Sequence, residues 1–300
     1  MSRRLRFDVD GRDWPNGEYS RFVEAGGVRW HVQVAGDGPT LLLLIHGTGA
    51  SGHSWRDFIA PFRERCTVVV PDLPGHGFSA PAPSLGAMSL PGIASALGSL
   101  CRTLALPTSG PQILVGHSAG AAILMRAALD RAFGEPGDTL ISLSGALLPF
   151  PGVAGHLLTP VARGMARLPF VAETFAWHVR SDSRVIAQLL RQTGSSLDAR
   201  GTDLYRRLAG NTGHVQAALD MMAQWDLHAL ARDLPRLRTS TLLVGADRDG
   251  TVPARQALQA AERIEGARTL TLKHLGHLAH EEAPDRVARL IDEVIVAAAS

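Results

Sequence analysis

The residue best placed to do chemistry in this chain is Ser118. It is the centre of the segment 116–120 (GHSAG), which follows the short apolar run 113–115 and precedes an alanine-rich stretch. This order predicts a strand, a sharp turn and a helix, with the serine at the turn. Glycines two positions before and after the serine let such a turn pack tightly, because larger side chains would collide there. The turn lifts the hydroxyl above a sheet, so the pattern predicts a serine nucleophile.

A serine nucleophile needs a base that takes its proton, and His277 is the predicted base. Serine is weakly nucleophilic at neutral pH unless it has a base, an acid that orients the base, and donors for the developing oxyanion. His277 follows the last predicted strand, 269–272, and precedes the predicted C-terminal helix. We therefore expect its loop at the carboxyl edge of the sheet, where Gly276 allows the imidazole to turn inward towards Ser118.

Two further histidines, His274 and His280, flank His277 at spacings of three residues. Regularly spaced histidines can indicate a metal site, but carboxylate or cysteine ligands at a motif spacing do not accompany these. We predict no metal and no cofactor, and interpret His274 and His280 as surface or core histidines. On sequence grounds the same structural interpretation stays open for His277.

The acid that orients the base is expected after the predicted strand 241–244, where Asp247 and Asp249 compete. Asp249 is favoured because it stands three residues before a Val-Pro pair, whereas Asp247 is interpreted as a turn or helix-capping residue. Local patterns misplace boundaries by a residue or two, so Asp247 is kept as the alternative acid.

Two backbone N–H groups are needed to hold the oxyanion, and Thr48 and Ala119 are the predicted donors. Ala119 directly follows the nucleophile, and Thr48 lies in a loop in which His46 and the turn-forming Gly47 and Gly49 are the supporting residues. A glycine-rich loop can also cradle phosphate. This one lacks the Gly-Lys-Ser/Thr ending and the G-x-G-x-x-G spacing of nucleotide sites, so we do not predict a nucleotide site.

The elements that must position these residues alternate between apolar strands and helical segments. A β-hairpin is predicted over 21–35, and strands over 40–45, 67–71, 113–116, 139–144, 241–244 and 269–272. Helices are predicted over 54–63, 89–105, 119–133, 253–264 and 284–298. Unbroken apolar strands that alternate with helices are typical of an α/β fold, a mostly parallel sheet with helices on both faces.

One long interval interrupts the alternation and predicts the domain organisation. No strand is predicted between Ser144 and Thr241, and the helix-like pieces there are separated by prolines and glycines. This interval is too long for a loop, so we predict a helical cap over 149–225, inserted into a core formed by 21–148 and 226–300. Residues 1–20 are predicted to be an irregular N-terminal arm.

Composition excludes several classes of protein. The 300 residues carry a formal net charge of only +2, which does not favour a nucleic-acid partner. Cys66 and Cys101 lie beside apolar segments and are predicted to be thiols rather than a disulfide.

The pattern of the N-terminus does not predict a secretory signal, and the longest aliphatic run, 41–45, is too short to span a bilayer. We predict a cytoplasmic protein with no transmembrane segment. The basic N-terminus is interpreted as a solvated tail, with peripheral membrane contact as the alternative.

Five motifs in order resemble those of the α/β-hydrolase family: HGTG, DLPGHGFS, GHSAG, D-x-x-V-P and GH. The resemblance covers nearly everything after the first twenty residues. It implies the α/β-hydrolase fold with an inserted helical cap and a Ser118, Asp249, His277 triad. Asp72 and His76, in the second motif, are interpreted as structural hydrogen-bonding residues. One departure is an extra residue in 245–249 (GADRD), which leaves the choice of acid open.

Further segments are similar to the magnesium-chelatase accessory proteins of bacteriochlorophyll synthesis in purple phototrophic bacteria. They are DWPN (13–16), FVEAGG (22–27), HGTGAS (46–51), HSWRD (53–57), SGALLP (144–149) and LGHLAHEE (275–282). This resemblance implies a role in the tetrapyrrole pathway, with magnesium-chelatase subunits as possible partners.

The favoured hypothesis is a serine hydrolase that acts on an ester of a bulky apolar substrate, for which a tetrapyrrole is the candidate. The cap would supply apolar walls, although ordinary cap core is favoured for most candidates: Leu148, Phe150, Met165, Phe170, Phe175, Trp177, Met221, Met222 and Trp225. Cap arginines could bind propionates, although a solvated helix face is favoured for them: Arg163, Arg167 and Arg180.

Two alternatives stay open at this point. The first is a non-catalytic protein that binds a tetrapyrrole or assists chelatase subunits on a hydrolase scaffold, because fold does not settle function. The second uses the same triad for carbon–carbon hydrolysis or cofactor-free peroxidation. Dehalogenase chemistry is disfavoured because its nucleophile is an aspartate, and Ser118 stands in that place.

Overall fold

The computed structural model describes residues 4–107, 110–132, 137–149, 164–166 and 168–298. Within these residues one sheet of eight strands has the order β1-β2-β4-β3-β5-β6-β7-β8. The strands are β1 Ser20–Ala25, β2 Val28–Ala35, β3 Thr40–Ile45, β4 Cys66–Pro71, β5 Gln112–His117, β6 Thr139–Leu143, β7 Ser240–Ala246 and β8 Arg268–Leu272. β2 is antiparallel to β1 and β4, and the other neighbouring strands are parallel.

Helices flank the sheet and fill the interval between β6 and β7. They are α1 Phe7–Asp10, α2 Ile59–Phe62, α3 Leu90–Thr103, α4 Ala119–Leu129, α5 Pro169–Ser181, α6 Arg184–Gln192, α7 Ala199–Ala209, α8 Thr212–Gln224, α9 Leu227–Asp233, α10 Arg255–Ala261, α11 Ala279–Glu282 and α12 Pro284–Ala298. Short 3-10 turns lie at Gly17–Tyr19, Gly52–Trp55, Gly86–Met88 and Leu234–Arg236.

The central strands are buried on both faces, which explains their unbroken apolar sequence. Along β3, Leu41 and Leu43 pack into one core cluster with α3 and α4, whereas Leu42 and Leu44 pack into a second cluster with α12. Successive strand side chains point to opposite faces, so a strand covered on both sides must be apolar at every position. The predicted α/β fold class, a mostly parallel sheet with helices on both faces, is confirmed.

Two predicted elements were wrong in their boundaries. The helix predicted over 54–63 is a 3-10 turn, Gly52–Trp55, followed by the single-turn helix α2. Pro61 explains the interruption, because proline fits only the first turn of a helix and would clash with the preceding turn of a longer one. The helix predicted over 119–133 ends at Leu129, and Arg131 adopts a left-handed conformation with φ 56°.

The N-terminal segment is more ordered than the irregular arm that we predicted. It contains α1 and the 3-10 turn Gly17–Tyr19, and Trp14 is buried with its ring centroid 4.9 Å from that of Phe78. Arg207 of α7 forms an ion pair with Asp13 at 3.0 Å, so the segment also contacts the helices between β6 and β7. Packing of its aromatic side chains, which the hydrophobic pattern does not reveal, gives the segment its order.

The interval between β6 and β7 contains helices α5–α9 and, in its described part, no strand. We call the helices α5–α8 the cap helices. Of the predicted cap residues, Phe150, Arg163 and Arg167 lie outside the described residues. None of the helices in the described ranges is long and apolar enough to cross a membrane. The two cysteines are free thiols, and burial raises the pKa of Cys101 to about 12.

Candidate active site

Ser118 lies in the turn between β5 and α4, in a strained backbone conformation. Its φ of 50° and ψ of −112° are rare for a residue with a side chain, and such strain is typical of functional turns. A Cβ added to Gly116 would lie 2.4 Å from the Ala121 nitrogen, and one added to Gly120 would lie 2.3 Å from the Ile45 oxygen. The two glycines are therefore required by close backbone contacts, as the sequence predicted.

Backbone hydrogen bonds fix the serine from both sides. The Ser118 N–H donates to the Leu143 carbonyl at 2.9 Å, and the Ser118 carbonyl accepts from the Ala146 N–H at 3.1 Å. Both partners belong to the end of β6 or the loop after it. The serine side chain is thus presented at the carboxyl edge of the sheet, and the residue is only partly buried.

The predicted base and acid are in contact. His277 Nδ1 lies 2.8 Å from Asp249 Oδ2, and the Asp249 side chain is fully buried. The other oxygen, Oδ1, accepts from the Thr251 N–H at 2.8 Å and the Val252 N–H at 2.7 Å. These two bonds give a physical reason for the spacing to the Val-Pro pair, because the loop folds back over its own aspartate. An aspartate held in this way can orient a histidine.

Asp247, the alternative acid, has a different partner. Its Oδ1 accepts from the His274 N–H at 2.7 Å, which stabilises the loop where His274 has a φ of 65°. His280 is fully buried, with its ring centroid 4.5 Å from that of Trp55. Burial lowers the pKa of His280 to about 3, so it is neutral. The structure therefore brings His277, and neither of its two neighbours, into hydrogen-bond contact with Asp249.

The loop that carries Thr48 lies directly against the nucleophile. A Cβ added to Gly47 would lie 3.1 Å from Ser118 Cβ, so a side chain at this position would press on the serine. His46 is fully buried and holds the loop: it donates from Nδ1 to the Gly47 carbonyl at 2.8 Å and accepts at Nε2 from the Leu73 N–H at 2.9 Å. Burial lowers the pKa of His46, in agreement with this neutral form.

Ala119 is buried and is the first residue of α4. The N-terminus of a helix carries a partial positive charge, which favours negative charge nearby. Ala119 directly follows Ser118, and Thr48 directly follows Gly47, which lies against Ser118. The use of both residues as oxyanion donors stays a prediction.

A contact at the site that the sequence analysis missed involves His214, in α8. Its Nδ1 accepts from the Gly77 N–H at 3.1 Å, and its Nε2 donates to the Gly49 carbonyl at 3.0 Å. Burial lowers the pKa of His214 to about 4, so the imidazole is neutral and connects a cap helix to the loop of Thr48. An isolated histidine 165 residues from its partner leaves no signal in a single sequence.

The candidate wall or core residues of the cap differ in burial. Met221 is fully buried, and its sulfur accepts from the Thr48 hydroxyl at 3.6 Å. Leu148 is also buried, and Phe175 and Trp225 are half-buried. Both interpretations, cap wall and cap core, were wrong for the members that are exposed to solvent: Met165, Phe170, Trp177 and Met222. Arg180 is exposed and donates to the Gly210 carbonyl. In the described part of the chain no group of three or more His, Cys, Asp or Glu side chains could hold a metal ion.

Comparison with known proteins gives consistent matches over nearly the whole chain. The family model of the alpha/beta hydrolase family matches residues 42–290. The magnesium-chelatase 30 kDa subunit of Rhodobacter capsulatus is 40% identical over 283 residues, which cover 93% of this chain and 95% of that protein.

Solved structures give the same architecture. An alpha/beta hydrolase fold protein from Burkholderia ambifaria aligns with a TM-score of 0.74 at 20% identity, covering 92% of this chain and 97% of that one. A thermophilic esterase from Thermogutta terrifontis aligns with a TM-score of 0.68 at 24% identity, covering 93% and 100%. At these identities the likeness shows the fold alone.

Proposed function

This chain belongs to the alpha/beta hydrolase family, and on that premise we propose that it is a serine hydrolase with Ser118 as its nucleophile. The observation that carries the proposal is the hydrogen bond of 2.8 Å between His277 Nδ1 and Asp249 Oδ2, on the same sheet edge as the strained turn at Ser118. An Nδ1–H that donates to a carboxylate leaves Nε2 free to accept a proton. The histidine is therefore oriented to act as a general base.

The proposed reaction is the hydrolysis of a carboxylic ester. Ser118 Oγ forms a bond to the carbonyl carbon while its proton passes to His277 Nε2, and the carbonyl oxygen becomes an oxyanion. The backbone N–H groups of Thr48 and Ala119 stabilise this oxyanion. Collapse of the intermediate breaks the ester C–O bond, and the alcohol leaves with the proton from His277. Water, deprotonated by His277, then attacks the acyl carbon; the bond from that carbon to Ser118 Oγ breaks, His277 returns its proton to Oγ, and the acid is released.

For the substrate we propose an ester of an apolar molecule, with a tetrapyrrole as the leading class. The relative from Rhodobacter capsulatus carries the name of a magnesium-chelatase subunit, which supports a chelatase-associated role for this chain. A buried apolar side chain next to the site, Met221 against Thr48, is suited to an apolar group. The same relative supports the second candidate, a protein that assists the chelatase without catalysis.

The first experiment is reaction of the purified protein with a small fluorophosphonate, followed by peptide mass spectrometry. We expect a stoichiometric adduct on Ser118 that is lost in His277→Ala and retained in the exposed control His274→Ala. Asp249→Asn and Asp247→Asn form a second matched pair, in which only the first is expected to slow labelling. A folded protein that gives no adduct contradicts the proposed nucleophile.

The two candidate functions are separated by the Ser118→Ala variant in a magnesium-chelatase assay and in a bacteriochlorophyll-producing strain that lacks the native protein. Catalysis predicts that the variant fails to restore pigment synthesis although it is folded. Restoration by Ser118→Ala, together with direct binding of the variant to chelatase subunits or to a porphyrin, would establish the non-catalytic role.

A further inference from the structure

A short segment after helix α6, residues 193–196, lies between the loop of Asp249 and the loop of His277. The Thr193 carbonyl accepts two backbone hydrogen bonds, from the Gly250 N–H at 3.0 Å and from the His277 N–H at 3.2 Å. One carbonyl oxygen of the inserted region therefore holds both loops of the acid–base pair. We call residues 193–196 the clamp segment.

Ser195 adds the next contact of the clamp segment. Its hydroxyl oxygen accepts from the Leu278 N–H at 2.9 Å, and only 3% of the residue is exposed. His277 and Leu278 are consecutive, so two successive N–H groups of the histidine loop are bound by the clamp segment. Glu282 completes the arrangement, because its carboxylate accepts from the Ser196 N–H at 3.2 Å and the Gly276 N–H at 2.8 Å.

The backbone of the clamp segment packs tightly against the loop of Asp249. Gly194 has a φ of 81°, and a Cβ added to it would lie 1.9 Å from the Arg248 carbonyl oxygen. The clamp segment thus contacts the loop of Asp249 along its backbone on one side and the histidine loop on the other. Displacing it would remove hydrogen bonds from both loops at once.

We propose that Ser195 is a positioning residue for His277, which makes the clamp segment part of the machinery that orients the acid–base pair. This inference rests on the proposed role of the triad. A bound loop on each side fixes the distance between Asp249 and the imidazole, and misplacement of a reacting group by about 1 Å can slow a reaction by about a hundredfold. Ser195 touches neither Ser118 nor a reacting atom and acts through the backbone of the histidine loop.

The test is the Ser195→Ala variant, with Ser196→Ala as the matched control. Ser195→Ala leaves the buried Leu278 N–H without its acceptor, whereas Ser196 contributes only its backbone N–H to the contacts described. We expect the rate constant for fluorophosphonate labelling of Ser118 to fall by about tenfold in Ser195→Ala, as befits a small displacement of the imidazole. In Ser196→Ala the rate constant stays within about twofold of the wild-type value. Ser195→Cys keeps the shape and a weak acceptor, and its rate constant should lie between the two.

A second readout reports the position of the histidine directly. The proton between His277 Nδ1 and Asp249 gives a downfield proton NMR resonance, assigned by its loss in Asp249→Asn. In Ser195→Ala this resonance should shift or broaden, and the pH profile of labelling should move with it. Thermal unfolding at the same pH shows whether each variant is folded, and Ser195→Cys replaces Ser195→Ala if the latter is not.

The outcomes separate this inference from the proposed function. A wild-type protein that is not labelled at Ser118 contradicts the proposed function, while the NMR comparison still tests the positioning of His277. An unchanged resonance and an unchanged labelling rate in a folded Ser195→Ala variant would overturn the role of Ser195. A shifted resonance with slower labelling supports both.

Discussion

Two histidines in this chain make the same hydrogen bond to a buried aspartate. His277 Nδ1 lies 2.8 Å from Asp249 Oδ2, and His31 Nδ1 lies 2.8 Å from Asp72 Oδ2. The second pair even has a serine in line, because His31 Nε2 lies 3.0 Å from Ser20 Oγ. Judged by side-chain hydrogen bonds alone, the Ser20 group would be the more complete triad.

The surroundings of the two serines differ. Ser20 has an ordinary extended backbone and pairs with Gln33 in the β1–β2 ladder, so its neighbourhood is regular sheet. Ser118 has a φ of 50° and stands at the N-terminus of a helix, against the Gly47 loop. The His31 ring is enclosed by aromatic rings, with centroids between 5.2 and 5.4 Å away: Phe7, Phe22 and Phe78.

The surroundings of Asp72 also indicate a structural role for the second group. Burial opposes the ionisation of Asp72, but His31 and the N–H groups around the carboxylate overcome it and hold its pKa below the ordinary value. Its carboxylate accepts from the Gly52 N–H at 2.7 Å and the Phe78 N–H at 2.9 Å, which ties three segments of the chain together. We interpret Ser20, His31 and Asp72 as a structural group. Under the proposed function, the comparison teaches that oxyanion donors, more than a chain of hydrogen bonds, distinguish a nucleophile.

The largest expected effect, on fluorophosphonate labelling, distinguishes the two serines. Ser118→Ala should abolish fluorophosphonate labelling, and Ser20→Ala should leave its rate unchanged, because Ser20 lacks a neighbouring oxyanion loop. Peptide mass spectrometry of both variants and the wild type measures this. An adduct on Ser20 in the wild type or in Ser118→Ala contradicts our interpretation of the second group.

The next largest effect distinguishes Asp249 from Asp72. Asp249→Asn should lower the labelling rate by roughly a hundredfold or more, because the amide favours the wrong tautomer of His277, with little loss of stability. Asp72→Asn should instead lower the free energy of unfolding by roughly 1–3 kcal/mol. Each oxygen of Asp72 faces a backbone N–H that cannot become an acceptor, so either orientation of the amide leaves one N–H unsatisfied.

Chemical denaturation and labelling kinetics of the two variants test this pair of expectations. Similar losses of stability in both variants, with similar rates, would remove the distinction between a functional and a structural aspartate.

Glu281 is a third buried carboxyl group that can be compared with the two aspartates, because no histidine holds it ionised. Burial raises its pKa to about 8, although its hydrogen bond of 2.7 Å from the Tyr205 hydroxyl acts in the opposite direction. The nearby charged or titratable groups are Arg56, Asp57, Asp198 and His280. Glu281 is therefore protonated in the folded protein at neutral pH.

The folded-state pKa lies above the unfolded value of 4.5, so the folded state holds a proton that the unfolded state has lost. The contribution of Glu281 to the free energy of unfolding is fully present below pH 4.5. It is lost as the pH rises towards 8, by at most about 1.4 kcal/mol per pH unit. Glu281→Gln should remove this loss, and its advantage in melting temperature over the wild type should grow between pH 5 and pH 8. The exposed control Glu293→Gln should show no such trend, and a constant difference for Glu281→Gln would contradict the raised pKa.

Local spacing was sufficient to predict the turn at Ser118 and to favour Asp249, the aspartate that contacts His277, because both depend on contacts within a few residues. The role of Asp249 as the acid stays a prediction. The bonds from Asp249 to Thr251 and Val252 explain why the spacing carried that information. Contacts between distant segments could not be predicted in this way. Ser195 and Leu278 are 83 residues apart, and neither has an unusual neighbour in sequence.

The local sequence pattern also could not predict which side chains of a long helix face the interior. Phe170 and Trp177 of α5 were candidates for a cap wall or cap core because they are large and apolar, but 60% and 59% of their surfaces are exposed. The inner face of that helix is formed by the smaller Ala172 and Ala176, which allow close packing against α8. Size alone therefore misidentified the side chains that line the interior.

The distance of 3.1 Å between Ser118 Cβ and a Cβ at position 47 has a consequence for how such a protein could change over evolutionary time. A single nucleotide change that replaces Gly47 by alanine would place a methyl group against the nucleophile and leave Asp249, His277 and the sheet untouched. Under the proposed function, a descendant with that change would keep Ser118, Asp249 and His277 and lose only the glycine of the HGTG motif, and we expect it to react more slowly. Among relatives that keep all three residues, the residue at position 47 would then help to distinguish a lineage that retains catalysis from one retained for binding alone.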